Sequence, residues 1–305
     1  MLDYRKFSGS RELRKKILSL LSWVPDRLMI RIQYFLQTGK KLNLKNPETF
    51  NEKMQWYKLN YHDPEMLRCT DKVEIREYLK EKGFGNLIVP IIAIYEKPED
   101  LDFKSLPEKF VIKTSDGSGA NEVMVCHSKR ELGEDYLKNR VEEWFKTPKK
   151  RNHEAREWAY NNGYPRRVIV EELIEEPGKK DIDDYKFYCF QGKYKFLQWH
   201  KDRHSSHKAG HYDENREFLP EVRVSSYPSF EKAERLPDNF EEMVEIAETI
   251  SKAFPFVRVD LYNINKRIYI GELTFYPASG YFNYQPPYVD KWLGTLFSEP
   301  LVSYS

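Results

Sequence analysis

The chain contains few cysteines, with Cys69, Cys126 and Cys189 in 305 residues, and their spacing fits neither a metal site nor a disulfide framework. Long hydrophobic runs are also missing, since no stretch reaches the roughly 18 apolar residues that span a bilayer. The net charge is only +2, which gives no global nucleic-acid footprint. A signal-peptide layout is missing, because the basic residues 11–16 precede only a short apolar run. These absences predict a cytoplasmic protein that does not bind nucleic acid.

The N-terminal segment is nevertheless basic and amphipathic. Charged residues between Arg11 and Lys16 precede an apolar stretch that ends near Trp23 and Val24. This pattern favours a helix packed on its own domain, and a helix lying on a membrane surface is the alternative. At most, the sequence predicts peripheral membrane contact.

Hydrophobic residues make up 40% of the chain and charged residues 32%, which is typical of a globular protein. Residues 1–65 are predicted to be mostly helical, with breaks at Pro25 and Gly39, and Asp71 is expected to open a further helix. Strands are predicted at 87–95, 110–114, 122–127 and 168–174, and hairpins at 185–199 and 256–275. This mixture of helices and hairpins indicates an α+β fold rather than a doubly wound sheet.

A glycine-rich loop follows the predicted strand at 110–114. Lys113 lies on that strand, and the loop carries Ser115, Gly117, Ser118 and Gly119. Glycines allow backbone N–H groups to approach phosphate oxygens closely. The loop leads into a strand rather than a helix, so it is not a Walker A loop. An ordinary Asp-Gly hairpin turn is the alternative.

The predicted C-terminal hairpin carries charged residues on one face of each strand. Strand alternation places Arg258 and Asp260 on one face, and Glu272 and Thr274 likewise share a face. A turn centred near Asn265 would place Arg258 opposite Glu272, with Asp260 one diagonal step away. Two carboxylates and a hydroxyl suit a hard cation such as Mg²⁺. The alternative is a surface ladder of salt bridges.

Two further segments are weaker signals. The first is an apolar strand that ends in Glu171 and Glu172 and is followed by Asp184 and Lys186. Such a strand could join two lobes and offer backbone groups to an adenine edge. Residues 199–211 hold four histidines in a basic segment, where His200, Asp202 and Arg203 are candidate substrate contacts. A zinc site there is disfavoured, because no cysteine is near and no regular period fixes the ligands. A solvated loop remains open.

In this order, these features resemble the ATP-grasp superfamily. The layout is similar to D-alanine–D-alanine ligases, and most similar to the TupA-like branch associated with teichuronopeptide and bacterial surface polysaccharides. Three segments carry the match to that branch: Thr-Asp-Lys at 70–72, Asp-Tyr-Lys-Phe-Tyr-Cys-Phe-Gln-Gly-Lys at 184–193, and Arg-Val-Asp-Leu-Tyr at 258–262. The resemblance covers about residues 45–305. It implies two α+β lobes that clamp ATP, with a helical N-terminal region at 1–65, a flap lobe at 66–175 and a metal-binding and acceptor lobe at 176–305.

The resemblance also implies residue roles. Lys72 and Lys113 would hold the α- and β-phosphates, and loop 116–119, with Ser115, would close over the triphosphate. Arg258, with Lys113 and Lys186, would serve catalysis by stabilising the transferring phosphoryl group. The remaining roles are an adenine contact at Glu171 and the backbone of Glu172, Leu173 and Ile174, a ribose contact at Asp184, and Mg²⁺ ligands at Asp260, Glu272 and Thr274. Thr274 stands where the superfamily often has Asn.

The resemblance therefore predicts a carboxylate–amine ligase that uses ATP and Mg²⁺. The expected partners are an acidic glycan, or a nucleotide- or lipid-linked sugar acceptor, and an amino acid or amine donor. Three alternatives remain open: a glycan or small-molecule kinase, a nucleotide-sugar glycosyltransferase, and a binding module without catalysis.

Overall fold

A computed structural model describes residues 21, 23–117, 122–147, 155–161, 163–203, 205–224 and 227–297. Most of the predicted amphipathic segment at 11–24 lies outside these ranges, as do Ser118 and Gly119 of the glycine-rich loop. Within the described ranges, no helix has both the length and the apolar content needed to cross a membrane.

Helices and antiparallel strands both contribute to the chain, which confirms the predicted α+β class. The helices are α1 (Asp26–Thr38), α2 (Phe50–Asn60), α3 (Pro64–Cys69), α4 (Glu74–Glu81), α5 (Lys129–Leu132), α6 (Glu134–Lys146), α7 (Phe240–Ser251) and α8 (Tyr288–Leu296). The strands are β1 (Ile91–Tyr95), β2 (Phe110–Thr114), β3 (Val123–Cys126), β4 (Val168–Glu171), β5 (Asp184–Phe190), β6 (Lys193–Lys201), β7 (Lys208–Asp213), β8 (Phe256–Ile264) and β9 (Arg267–Thr274).

Local sequence signals set the helix boundaries near the N-terminus. Helix α1 starts directly after Pro25 and ends at Gly39, whose φ of 71° is in the left-handed region that favours glycine. Helix α2 begins with a capping box. The Thr49 side chain accepts a hydrogen bond from the Glu52 N–H, and the Glu52 carboxylate accepts one from the Thr49 N–H. The breaks predicted at Pro25 and Gly39 are thereby confirmed.

The first sheet has four antiparallel strands in the order β1-β4-β2-β3. Helix α6 covers one of its faces, where Leu137, Val141 and Trp144 pack with Phe110 and Ile112 in a buried cluster. The other face carries partly exposed apolar side chains beside Lys113 and is described with the site below.

The second sheet has five antiparallel strands in the order β7-β6-β5-β8-β9. Helix α7 packs on one face, where the rings of Phe187 and Phe240 lie 5.5 Å apart. On the other face, Phe50 of α2 packs edge-on against Phe256 of β8 at 5.1 Å. Side chains alternate along a strand, so the residues of β5 and β8 that share this second face with Phe256 include the charged residues of the predicted site.

Two predicted strands are shorter than expected. The strand predicted at 87–95 begins only at Ile91, because a 3-10 turn at Gly85–Leu87 and then Pro90 precede it. The strand predicted at 168–174 ends at Glu171, and the residues that follow connect the two sheets. Both predicted hairpins are confirmed, as β5–β6 and β8–β9.

All three cysteines are buried and free. Burial raises the pKa of the Cys189 thiol to about 12, which keeps it protonated and unreactive at neutral pH.

Replacing Gly294 by alanine should destabilise the fold by about 1–3 kcal/mol, the usual cost of overpacking. A Cβ at Gly294 of α8 would overlap the backbone at Glu48, Thr49 and Phe50, which cannot move without disturbing the start of α2. Urea denaturation measures the change. Gly85→Ala is the matched control, because its Cβ would meet only the flexible side chain of Lys80, at 2.9 Å. Equal stability of the two variants would contradict the prediction.

Candidate active site

A buried carboxylate lies at the centre of the charged face of the second sheet. Asp260 accepts hydrogen bonds from Arg258 Nε at 2.6 Å and Arg258 Nη2 at 2.7 Å, and from Lys186 Nζ at 2.5 Å. Burial by itself would raise the pKa of Asp260, but the two cations outweigh it and lower the pKa. Asp260 is therefore a carboxylate held rigidly between two cations.

Lys186 extends the cluster to the neighbouring end of β5. Its Nζ lies 2.7 Å from Asp184 Oδ2, which also accepts from Arg203 Nη1 at 2.7 Å. The other oxygen of Asp184, Oδ1, is buried and has no hydrogen-bond partner among the described residues. A buried carboxylate oxygen without a partner is suited to accept a hydrogen bond from a ligand, such as from a hydroxyl group. The ribose contact predicted for Asp184 fits this arrangement and remains a prediction.

The hairpin register differs from the expectation. Asp260 pairs with Glu272 and Arg258 pairs with Thr274. A two-residue turn at Asn265 and Lys266, with a bulge at the position of Gly271, shifts the register by two residues relative to the prediction. A shift by two keeps every side chain on its predicted face. The prediction that Arg258 lies opposite Glu272 is therefore wrong, although the same four side chains converge.

The three predicted metal ligands converge on one cation, the guanidinium of Arg258. Its Nη2 lies 3.0 Å from Thr274 Oγ1 and 3.3 Å from Glu272 Oε1, in addition to its bonds to Asp260. Among the described residues, no group of three or more His, Cys, Asp or Glu side chains is arranged to hold a metal ion. Two carboxylates and a hydroxyl around one positive centre nevertheless fit Mg²⁺, which takes its other ligands from water and phosphate.

Lys72 connects this face with the first sheet. Its Nζ donates to the carbonyl of Gly117, and its backbone N–H donates to the carbonyl of Ser115 at 2.9 Å. Burial and the nearby Lys113 cation lower the pKa of Lys72, while Glu272 and Asp116 oppose that shift. Lys72 therefore lies within electrostatic reach of both Lys113 and Glu272, so the two predicted phosphate-binding lysines and the predicted metal site are neighbours.

Glu171 holds Lys113 in place on the first sheet. Its Oε2 lies 2.6 Å from Lys113 Nζ, and its Oε1 lies 2.8 Å from Arg76 Nη2. Arg76 was not predicted from the sequence. One signal could have found it, because Arg76 follows Lys72 by four residues. In the helix predicted after Asp71 this spacing would place both side chains on one face, although α4 begins only at Glu74.

Loop 115–117 is fixed at its base by Arg166 and Arg167, two residues that the sequence analysis also missed. The Asp116 carboxylate pairs with Arg166 at 2.9 Å, and the Ser115 N–H donates to the Arg167 carbonyl at 2.8 Å. A Cβ at Gly117 would overlap the Thr114 and Glu122 side chains, so glycine is required at this position. Ser118 and Gly119 lie outside the described residues, and their predicted phosphate contacts remain predictions.

The residues predicted to meet adenine lie around the end of β4. Glu172, Leu173 and Ile174 follow the strand in the connection to the second sheet, and the Glu172 N–H donates to the Pro90 carbonyl at 3.1 Å. The open face of the first sheet borders this region, with Ile94 and Val125 43% and 44% exposed. A partly exposed apolar surface beside Lys113 suits a flat ring attached to a charged group.

The predicted substrate residues lie at the end of β6. His200 Nδ1 is 2.7 Å from His207 Nε2, and Arg203 contacts Asp184, whereas Asp202 is exposed. Burial, reinforced by the Lys186 and Arg203 cations, lowers the pKa of His200 to about 2. His200 is therefore neutral at physiological pH and can act as a hydrogen-bonding group but not as a cation.

Comparison with known proteins defines the class. The model of the TupA-like ATPgrasp family matches residues 52–298, so the fold is that of an ATP-grasp protein. The chain belongs to the TupA-like ATP-grasp family. The predicted family and fold are thereby confirmed. No curated protein sequence matches.

Three ligases are among the solved structures that the chain matches, all at low sequence identity. D-alanine–D-alanine ligase from Bacillus anthracis, complexed with ATP, is 18% identical over 68% of this chain and 54% of that one, with a TM-score of 0.41. The L-amino acid ligase from Bacillus licheniformis is 15% identical over 85% and 57%, with a TM-score of 0.47. ATP-grasp ligase PsnB, complexed with minimal precursor, Mg and ADP, is 11% identical over 73% and 57%, with a TM-score of 0.38. This chain spans just over half the length of each.

Stability should fall as the pH drops below about 6.5, in part because of buried histidine His211. Burial, aided by the Arg223 cation, lowers its pKa to about 3, so between pH 6.5 and 3 the unfolded chain binds a proton that the folded chain does not. His211→Phe preserves a ring that can stack on Phe196. The substitution should reduce the dependence of the unfolding free energy on pH by about 1.4 kcal/mol per pH unit between pH 6 and 4. Urea denaturation across this pH range measures the slope. An unaltered slope in His211→Phe would contradict the prediction.

Proposed function

We propose that this chain is a Mg-ATP-dependent carboxylate–amine ligase that works through an acyl phosphate. The observation that carries the proposal is the position of Lys72, which lies within electrostatic reach of Lys113 on the first sheet and of Glu272 on the second. Two lysines beside an Asp260–Glu272 pair form a site for a polyanion that brings its own cation. Membership of the ATP-grasp class supports ATP as that polyanion.

The cations and the carboxylates of the cluster have separate tasks. Lys72 and Lys113 would neutralise phosphate oxygens, and Asp260, Glu272 and Thr274 would hold Mg²⁺. When bound, Mg²⁺ supplies a Lewis acid that polarises phosphoryl oxygens. Asp260 also keeps Arg258 and Lys186 in fixed orientations, and such preorganised charges lower a barrier because they need no reorientation during reaction.

The proposed reaction has two displacements. A carboxylate oxygen of the acceptor attacks the γ-phosphorus of ATP, the bond to the bridging oxygen breaks, and ADP leaves. The amine nitrogen then attacks the acyl carbon, phosphate leaves, and the nitrogen loses a proton to form the amide. Arg258 and Lys186 would stabilise the charge on the transferring group. The chain supplies position and charge, so no nucleophilic side chain is required.

For the substrates, we propose a uronic acid of a bacterial surface polysaccharide, or its nucleotide- or lipid-linked precursor, and an amino acid or other amine. This assignment rests on the resemblance to the TupA-like branch. The basic group Arg203, beside neutral His200 at the end of β6, supports an acidic acceptor. We place the reaction in the cytoplasm, where ATP is available and free cysteines stay reduced.

The pure protein with Mg-ATP should release ADP and phosphate only when an acid and an amine are both present. A panel of uronic acids and amino acids, with mass detection of the product, tests this requirement. Hydroxylamine in place of the amine should trap the acyl phosphate as a hydroxamate. If a hydroxyl compound alone drives ADP formation and leaves with the phosphate, the protein is a kinase and the ligase proposal is wrong.

Asp260→Asn and Glu272→Gln should each reduce product formation about 100-fold or more, since each removes a carboxylate from the proposed Mg²⁺ site. Circular dichroism checks that the variants remain folded. Glu231→Gln is the matched control, because Glu231 is an exposed carboxylate far from this cluster in the sequence. Full activity in folded Asp260→Asn and Glu272→Gln would exclude the proposed roles.

Mg-ATP should raise the melting temperature of the native chain, and at 100 times its dissociation constant it should add about 2.7 kcal/mol of stability. Lys113→Met should weaken ATP binding about tenfold, the loss expected for one hydrogen bond to a charged group. Lys109→Met is the control, because its side chain is half exposed and pairs with Glu175. Stabilisation by a UDP-sugar and not by Mg-ATP would instead identify a glycosyltransferase.

A further inference from the structure

Helix α1 has apolar side chains on two opposite sides. Met29, Ile30 and Tyr34 are buried, and the last two pack with Leu42 and Leu44 in a small cluster. Asp26 of the same helix also pairs with Arg156 at 2.7 Å, and Gln33 accepts a hydrogen bond from the Tyr281 hydroxyl at 3.2 Å. The opposite side of the helix faces away from that cluster.

The outward side of α1 carries a stripe of large apolar residues. Leu28, Ile32, Phe35 and Leu36 are 51%, 44%, 58% and 38% exposed, and their spacing places them on one face of the helix. Trp23, which precedes α1, is 79% exposed. A single exposed apolar residue is ordinary, but a contiguous stripe of this kind marks a surface that contacts a partner. We call these five residues the α1 stripe.

The surroundings of the α1 stripe are strongly basic. Within the described residues 23–45, five are Lys or Arg and one is Asp, so this segment carries +4, whereas the whole chain carries only +2. Arg27 and Arg31 are exposed and lie one helical turn apart along one side of the stripe. Lys40 and Lys41, just after the helix, are also exposed. Positive charge is therefore concentrated around the apolar stripe.

We propose that the α1 stripe docks onto the surface of an anionic lipid bilayer. A helix with an apolar face and flanking arginines lies in the interface plane, with its apolar side chains among the acyl chains and its cations among anionic headgroups. Trp23 and Phe35 suit the same boundary, where aromatic side chains are enriched. A two-fold contact between two copies is disfavoured, because it would bring Arg27 and Arg31 close to their own counterparts. This inference is independent of the proposed ligase activity.

Co-sedimentation of the full chain with vesicles tests the proposal. Vesicles of phosphatidylcholine with 30% phosphatidylglycerol should bind the protein at low salt, and vesicles of pure phosphatidylcholine should bind it at least about tenfold more weakly. The double variant Ile32→Gln/Phe35→Gln should lose about tenfold or more in affinity for the anionic vesicles. Arg27→Glu/Arg31→Glu should also bind weakly and lose most of its salt dependence.

Tyr136→Gln is the matched control, because Tyr136 of α6 is as exposed as Phe35, at 58%. It should bind vesicles like the native chain. Three results would overturn the proposal. The first is a native chain that binds neither vesicle. The second is a dimer, seen by analytical ultracentrifugation, that Ile32→Gln/Phe35→Gln dissociates. The third is a marked loss of thermal stability in that variant without lipid, which would show that the chain itself, such as residues 1–20, covers the stripe.

Discussion

The site depends on one buried carboxylate, Asp260, and the two cations that surround it. A carboxylate in a protein interior loses its hydration, and it remains ionised only where positive charge and hydrogen bonds replace the lost water. Arg258 and Lys186 supply both, from the same strand and the adjacent strand. Because each of these side chains also contacts a further group, the positions of Asp184, Glu272 and Thr274 follow from this one arrangement.

In the first sheet, ion pairs also join elements that are distant in the sequence. Glu171 joins Arg76 to Lys113, and Arg167 reaches Asp71 at 2.7 Å. These pairs fasten α4 and the residues just before it to β2 and β4, and Lys72 lies among those preceding residues. A polyphosphate bound here would contact lysines that already have partners, since Lys113 pairs with Glu171 and Lys72 donates to the Gly117 carbonyl. The phosphate oxygens would have to displace these partners or share the lysines with them.

The apolar packing behind the charged face explains its rigidity. Phe50, Phe190 and Phe256 fill the part of that face nearest α2. Tyr188, which pairs with Arg258, separates Phe190 from Lys186 along β5. On the other side of the sheet, α7 covers Phe187. Because the strands are packed on both faces, their charged side chains have little freedom to move. Preorganised catalysis requires this rigidity.

Local patterns in the sequence determined much of the fold. Proline and glycine set the ends of α1, alternation identified both hairpins, and the face of each charged residue followed from the period of two in a strand. The ordered motifs also indicated the ATP-grasp family, which the match over residues 52–298 confirms. The predicted domain limits and residue roles remain predictions.

Only the tertiary structure decided which charges meet. Arg76 and Glu171 are 95 positions apart, and Lys186 and Asp260 are 74 apart, so no local period connects them. The bulge opposite Asp260 and Leu261 set the hairpin register, because one extra residue in a strand changes every pairing beyond it. The neutral state of His200 depends on burial by segments that fold over it, and burial is a property of the packed chain rather than of the residue.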